Sequence, residues 1–148
     1  MVPLRHLGGR SIGVFGLARS GLATVRAAVA GGAADVLVWD DKDSAREEAA
    51  SLGGTPIDPR DWRWEMLDSL VLAPGVPLTH PAPHPITFMA KQVGVEIICD
   101  IELLWRETEG KARFVSVTGT NGKSTTTALL GHADDRMRLR MRERHTGR

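Results

Sequence analysis

Residues 11–21 read SIGVFGLARSG, and this stretch decides the fold. Ser11 to Phe15 is a short apolar run that Gly16 ends; Leu22, Val25, Ala28 and Val29 then recur at helical spacing until Gly31 and Gly32. A buried run, a glycine turn and a 3.6-residue period, in that order, predict a strand passing through a tight turn into an amphipathic helix.

The same sequence of events repeats downstream. Residues 35–39, DVLVW, form a second apolar run, closed by Asp40 and Asp41, and a short polar helix is expected over 44–52. Residues 53–63 are rich in Pro, Asp and Gly and read as connection. The run SLVLA at 69–73 is another buried strand, broken by Pro74 and Gly75, and the prolines at 77, 81, 83 and 85 forbid regular structure after it. A helix over 86–93, a strand over 95–98 and an amphipathic segment over 100–108, with Ile101, Leu104 and Trp105 on one face, complete this part. Alternating strands and helices predict an α/β fold, a Rossmann-like parallel sheet with helices on both faces, over residues 1–110.

After a linker at 109–111 the pattern restarts: a strand over 114–117, a loop, and a helix over 123–132. The loop carries Gly119, Thr120, Asn121, Gly122, Lys123, Ser124 and Thr125. Successive backbone N–H groups, the positive end of a helix and a lysine ammonium together form an anion receptor, which makes this a phosphate-binding P-loop. Lys123 would reach the outer phosphates, and the Ser124 hydroxyl would hold magnesium. The strict pattern has glycine where this chain has Val117. The first turn, Gly16 to Gly21, has the form of a dinucleotide-binding fingerprint with Ala18 in the second glycine position. A methyl group there hinders close approach of a pyrophosphate, so the expected nucleotide is held differently from NAD. Asp40, at the end of the second strand, stands where a carboxylate accepts hydrogen bonds from a ribose or base. Residues 73–75 are delivered to the same edge, because parallel strands present their carboxyl ends to one crevice.

The chain has 148 residues, 42% hydrophobic and 25% charged, which suits one globular domain and not two. Its net charge of +1 conceals an asymmetry: residues 133–148 hold six arginines against two aspartates and one glutamate, so the tail carries +3 and the body −2. The apolar residues of the tail, Met137, Leu139 and Met141, alternate with arginines, a period that does not continue the helix, and the tail is expected to be disordered. No run is apolar and long enough to span a bilayer and no signal peptide is evident, so a cytoplasmic protein is expected. The lone Cys99 is expected to pack as a small hydrophobe. His80 and His84 lack companions at metal-ligand spacing, and the four tryptophans read as core or lid residues.

The motifs GLARSG, WDD, LAPGVPLTHP, CDIELLWRE and VTGTNGKSTTTALLGH, in this order, resemble the amino-terminal part of the Mur ligase family over about residues 4–132, and most closely its D-glutamate-adding members. The resemblance implies an ATP-dependent ligase of peptidoglycan precursor synthesis. A muramoyl-alanine carboxylate takes the γ-phosphoryl group of ATP, and the amine of D-glutamate then displaces phosphate to form an amide. It implies ATP with Mg2+ on Gly119 to Thr125, and the uridine diphosphate of UDP-N-acetylmuramoyl-L-alanine on Arg19, Ser20, Asp40, Asp41, Lys42, Ala73, Pro74 and Gly75. Residues 111–132 would begin an ATP-binding central domain whose remaining strands, further magnesium ligands and amino-acid-binding domain are not recognisable here. The expectation is therefore a monomeric, catalytically incompetent product of truncation or frameshift, with 133–148 a non-homologous tail. Two other readings compete: a fragment of an NAD-dependent oxidoreductase, and a small nucleotide-binding module whose basic tail touches nucleic acid.

Overall fold

The computed structural model describes residues 1–80, 82–112 and 114–146, with side chains described as far as residue 134. The chain forms two units, Met1–Lys111 and Ala112–Arg148.

In the first unit, strands β1 (Ser11–Phe15), β2 (Asp35–Trp39), β3 (Thr55–Pro56), β4 (Ser69–Leu72) and β5 (Glu96–Ile98) form one sheet in the order β3-β2-β1-β4-β5. Every adjacent pair is parallel. Four helices connect or flank them: α1 (Arg19–Gly31), α2 (Asp43–Ser51), α3 (Pro85–Val93) and α4 (Asp100–Thr108). This is the Rossmann-like sheet expected from the alternating pattern, and the strand order reverses direction at β1.

Strands covered on both faces are apolar throughout rather than alternating. Ile12, Val14, Val36, Val38, Val71 and Ile98 pack on one face with Val25 and Ala28 of α1, Ala49 of α2 and Leu103 of α4. Phe15, Leu70 and Leu72 pack on the other with Trp62, Trp64, Leu67 and, from α3, Ile86 and Ala90. Gly13 is needed here: a Cβ on it would lie 2.4 Å from the Trp62 ring, which packs against the middle of β1. Both buried indoles are satisfied, Trp62 Nε1 donating to the Ile57 carbonyl at 2.8 Å and Trp64 Nε1 to that of Pro59 at 2.9 Å. The amino-terminal segment lies over α1 in a notch made by Gly31, whose missing Cβ would sit 2.1 Å from the Leu4 oxygen. It is tied to α4 by Glu107, which is buried and accepts from the His6 N–H at 3.0 Å, with His6 Nδ1 at 2.9 Å. Those bonds, the side-chain one foremost, hold the Glu107 carboxyl below the usual carboxylate range.

Four sequence expectations require correction. Ile101 and Trp105 do not face the core; they are 63% and 42% exposed, whereas Leu103 and Glu107 are the buried pair of α4. The i, i+4 row that turns inward carries Leu103 into the core and Glu107 to His6, and the second contact is one that apolar periodicity does not register. Cys99 is exposed at the amino end of α4 rather than packed. Residues 114–117 form no strand, because a β-strand needs a neighbour to complete its backbone hydrogen bonds. Finally, helix α5 runs Lys123–Thr146, past the expected end at His132. Between Gly131 and Gly147 no Gly or Pro intervenes, and Ala, Leu, Met, Arg and Glu are good helix formers. The alternation of apolar and basic residues bears on what a face can bury, not on local backbone preference. The side chains of 135–146, and residues 147–148, lie outside the described residues, and with them most of the arginine-rich tail.

Candidate nucleotide site

Three segments meet at the carboxyl ends of the central strands. The first is the β1–α1 turn. Gly16 leaves β1 with φ +90°, a left-handed conformation that suits glycine. Its N–H donates to the Trp39 carbonyl at 2.9 Å, so the turn stays registered to β2. Gly21 lets the helix close on the turn, since a Cβ there would lie 1.9 Å from the Gly16 oxygen. Helix α1 then begins with no side-chain cap and no acidic residue in its first turn. Its leading N–H groups and dipole are thus oriented for an anion.

The second segment follows β4. Ala73 is buried, its N–H donating to the Phe15 carbonyl at 3.0 Å, and Pro74 and Gly75 are exposed beyond it. The two turns touch: a Cβ on Gly16 would sit 2.7 Å from that of Ala73. The third segment follows β2. Asp40 is half-buried and uses both carboxylate oxygens, one accepting from the Leu17 N–H at 2.7 Å and the other from the Lys42 N–H at 3.0 Å. Asp41 and Lys42 are exposed.

A cavity of about 800 Å³ opens at this edge, within the range of small-molecule pockets. It brings together Arg19, Ser20, Ala73, Pro74 and Gly75; Val2, Leu4, Ala27 and Leu104 extend it as an apolar wall between α1 and α4. Asp40, Asp41 and Lys42 do not line it. They lie on the other side of the β1–α1 turn, joined to it through Leu17. The sequence placed Asp40 as a ligand group; its geometry also makes it a brace, and the Leu17 N–H that it holds was not among the residues singled out. Arg46 was missed too. It spans this corner, its guanidinium 4.4 Å from the Trp39 ring centroid and bonded to the Asp40 carbonyl and the Asp43 carboxylate. The spacing Trp-Asp-Asp-Lys-Asp-x-x-Arg offered a signal, since Asp43 and Arg46 sit three apart on a helix. His84 serves as the amino-terminal cap of α3, its Nδ1 accepting from the Ile86 N–H at 3.3 Å, with its ring 4.7 Å from that of Phe15.

In the second unit, Gly119 and Gly122 have positive φ, +144° and +76°, and the loop leads into α5. The Lys123 ammonium folds back on the Gly119 and Thr120 carbonyls. Every residue from 118 to 134 is exposed. Among the described residues no group of three or more His, Cys, Asp or Glu could hold a metal, and no helix is long and apolar enough to cross a membrane.

No protein-family model matches the chain. Among curated proteins it is 50% identical over 137 residues to the UDP-N-acetylmuramoylalanine–D-glutamate ligase of Phenylobacterium zucineum (strain HLK1). It is 50% identical over 135 residues to that of Rhizobium meliloti (strain 1021), and 46% over 137 to that of Caulobacter sp. (strain K31). Each match covers 89% of this chain and 29% of the relative, so the chain spans under a third of the length of the curated proteins it matches. Such coverage is consistent with an amino-terminal part of a ligase of this kind. Among solved structures, an alcohol dehydrogenase from Thermus sp. ATN1 covers 67% of the chain and 30% of its own, at 22% identity and a TM-score of 0.48.

Proposed function

We infer that this chain, similar along nine-tenths of its length to D-glutamate-adding Mur ligases, forms the part of such a ligase that grips UDP-N-acetylmuramoyl-L-alanine. The observation that carries the reading is the junction at the carboxyl edge of the sheet, where Leu17 N–H is tied to Asp40 while Gly16 packs on Ala73. Three loops thereby stand at one edge of the sheet, with Arg19, Ser20 and residues 73–75 on the cavity and Asp40 tied to the turn beside it. The diphosphate would lie over the start of α1, where Arg19 supplies charge and Ser20 a hydroxyl and N–H groups. Residues 73–75 would flank it, and 40–42 would receive the uridine. Arg19 makes no ion pair among the described residues, which leaves its guanidinium for a phosphate.

ATP fits the second loop by chemistry: two glycines at positive φ, a lysine beside the loop carbonyls and a hydroxyl in the first turn of α5. Gly119 to Thr125 would hold the phosphates, and Ser124 together with those phosphates would hold Mg2+, a metal that keeps few protein ligands. When bound, ATP supplies the phosphoryl group that activates the muramoyl-alanine carboxylate. The chain's own contribution is to bind and orient, Lys123 offsetting charge on the outer phosphates. The same reading makes the protein a cytoplasmic monomer. Residues 1–148 alone would give no amide product, because no site for D-glutamate is recognisable among the described residues.

Titration of the 148-residue chain with UDP and with ATP-magnesium, followed by amide NMR, tests this. UDP is expected to move the resonances of Ser20, Asp40 and Gly75, with weaker ATP effects at Lys123 and Ser124 and no release of phosphate. NADH binding without any response to UDP would overturn the reading in favour of an oxidoreductase, and ligase turnover by this polypeptide unaided would overturn the division of labour.

A further inference from the structure

We propose that Arg46 is a positioning residue for the uridine nucleotide, setting the shape of the β2–α2 turn and, through Asp40, that of the β1–α1 turn; this rests on the nucleotide reading above. The two carboxylate bonds of Asp40, to Leu17 N–H and Lys42 N–H, exist only if residues 40–43 follow one path. Apart from the Lys42 carbonyl, which accepts from the Ala45 and Arg46 N–H groups, little else fixes that path. Asp41, Lys42 and Asp43 are exposed, and Lys42, the residue ahead of α2, gives the helix no side-chain cap.

Arg46 supplies the missing constraint from the first turn of α2. One guanidinium nitrogen donates to the Asp40 carbonyl, a second to the Asp43 carboxylate, and the central carbon lies over the Trp39 ring. The turn is thereby fixed at its first residue, at its last, and against the strand that launches it. Only a planar cation with several donors makes all three contacts at once; a lysine ammonium makes one or two. The Arg46 guanidinium is taken up by Asp40, Asp43 and Trp39, so it acts through Asp40 and Leu17 rather than on the ligand.

The test uses the full chain carrying Arg46→Ala or Arg46→Lys, with UDP as the probe. Arg46→Ala is expected to weaken UDP binding about tenfold, the worth of one charge-assisted contact. Arg46→Lys should fall between it and the parent, and added methylguanidinium should recover part of the loss in the alanine variant. Without ligand, the Leu17 amide proton, deshielded by the Asp40 carboxylate, should move upfield in both variants. A role confined to stability would lower the melting temperature and leave the Leu17 resonance and the UDP affinity of the folded protein unchanged, and that result overturns the proposal. If Arg46→Ala does not fold, the same readouts on Arg46→Lys decide it. Failure of the parent chain to bind UDP would instead defeat the nucleotide reading, while the Leu17 shift would still report whether Arg46 sets the turn.

Discussion

The chain contains two glycine-bearing turns that open helices, at 16–21 and at 119–125, and they differ in what stands behind them. The first is backed by a parallel ladder on each side of β1, by Asp40 on Leu17 and by Ala73 against Gly16. A methyl group has no room at Gly16 or Gly21. The second follows residues 114–118, which form no ladder, and nothing lies within 4 Å of a Cβ built on Gly122. A motif therefore specifies the local path of the backbone but not the support that holds it. For an anion site this distinction matters, because donors act strongly only when they are held in place before the ligand arrives.

The largest difference should appear in hydrogen exchange. Amides of Ile12, Val14 and Leu70 are expected to exchange only through global unfolding, more slowly by about a thousandfold or more than those of residues 114–118. Strong protection across 114–132 would erase the contrast. A paired substitution sharpens it. Gly21→Ala drives a methyl into the Gly16 carbonyl and should cost about 3 kcal/mol in the main unfolding transition followed by circular dichroism. Gly122→Ala, strained by its φ of +76°, should cost about 1 kcal/mol locally and leave that transition in place; equal effects on it would show that the two turns share one cooperative unit.

A smaller effect probes how far the order of the first unit extends toward residue 111. The Glu107 carboxyl is held low by its bonds from His6. The stabilisation is thus fully present above the unfolded-state carboxylate value and is lost as the pH falls through the lower folded one. The melting temperature of Glu107→Gln should lie below that of the parent at neutral pH, and the gap should close on acidification. A gap independent of pH would mean that the carboxylate's charge contributes nothing there.

Most of the first unit was legible because its strands are continuous apolar runs and its turns carry glycine or proline where the backbone needs them. What was not legible depended on partners distant in sequence. Nothing around Ile101 and Trp105 indicates that α4 buries Leu103 and Glu107 instead, since Leu103 packs in the core of the sheet and the partner of Glu107 is His6, 101 residues away. The site followed the same rule: Arg19, Ser20 and residues 73–75 share a cavity because parallel strands end together, whereas the bracing role of Asp40 depends on Leu17, 23 residues earlier. Residues 114–117 show the converse, an apolar run that reads as a strand yet has, among the described residues, no strand paired with it.

The notch at Gly31 has a practical corollary. By letting the leading residues cross α1, it brings Met1 and Val2 to the mouth of the 800 Å³ cavity. A purification tag joined ahead of Met1 would emerge at that opening and compete with whatever is being titrated. Affinity measurements on this protein should be made with the leader removed, or with the handle placed elsewhere.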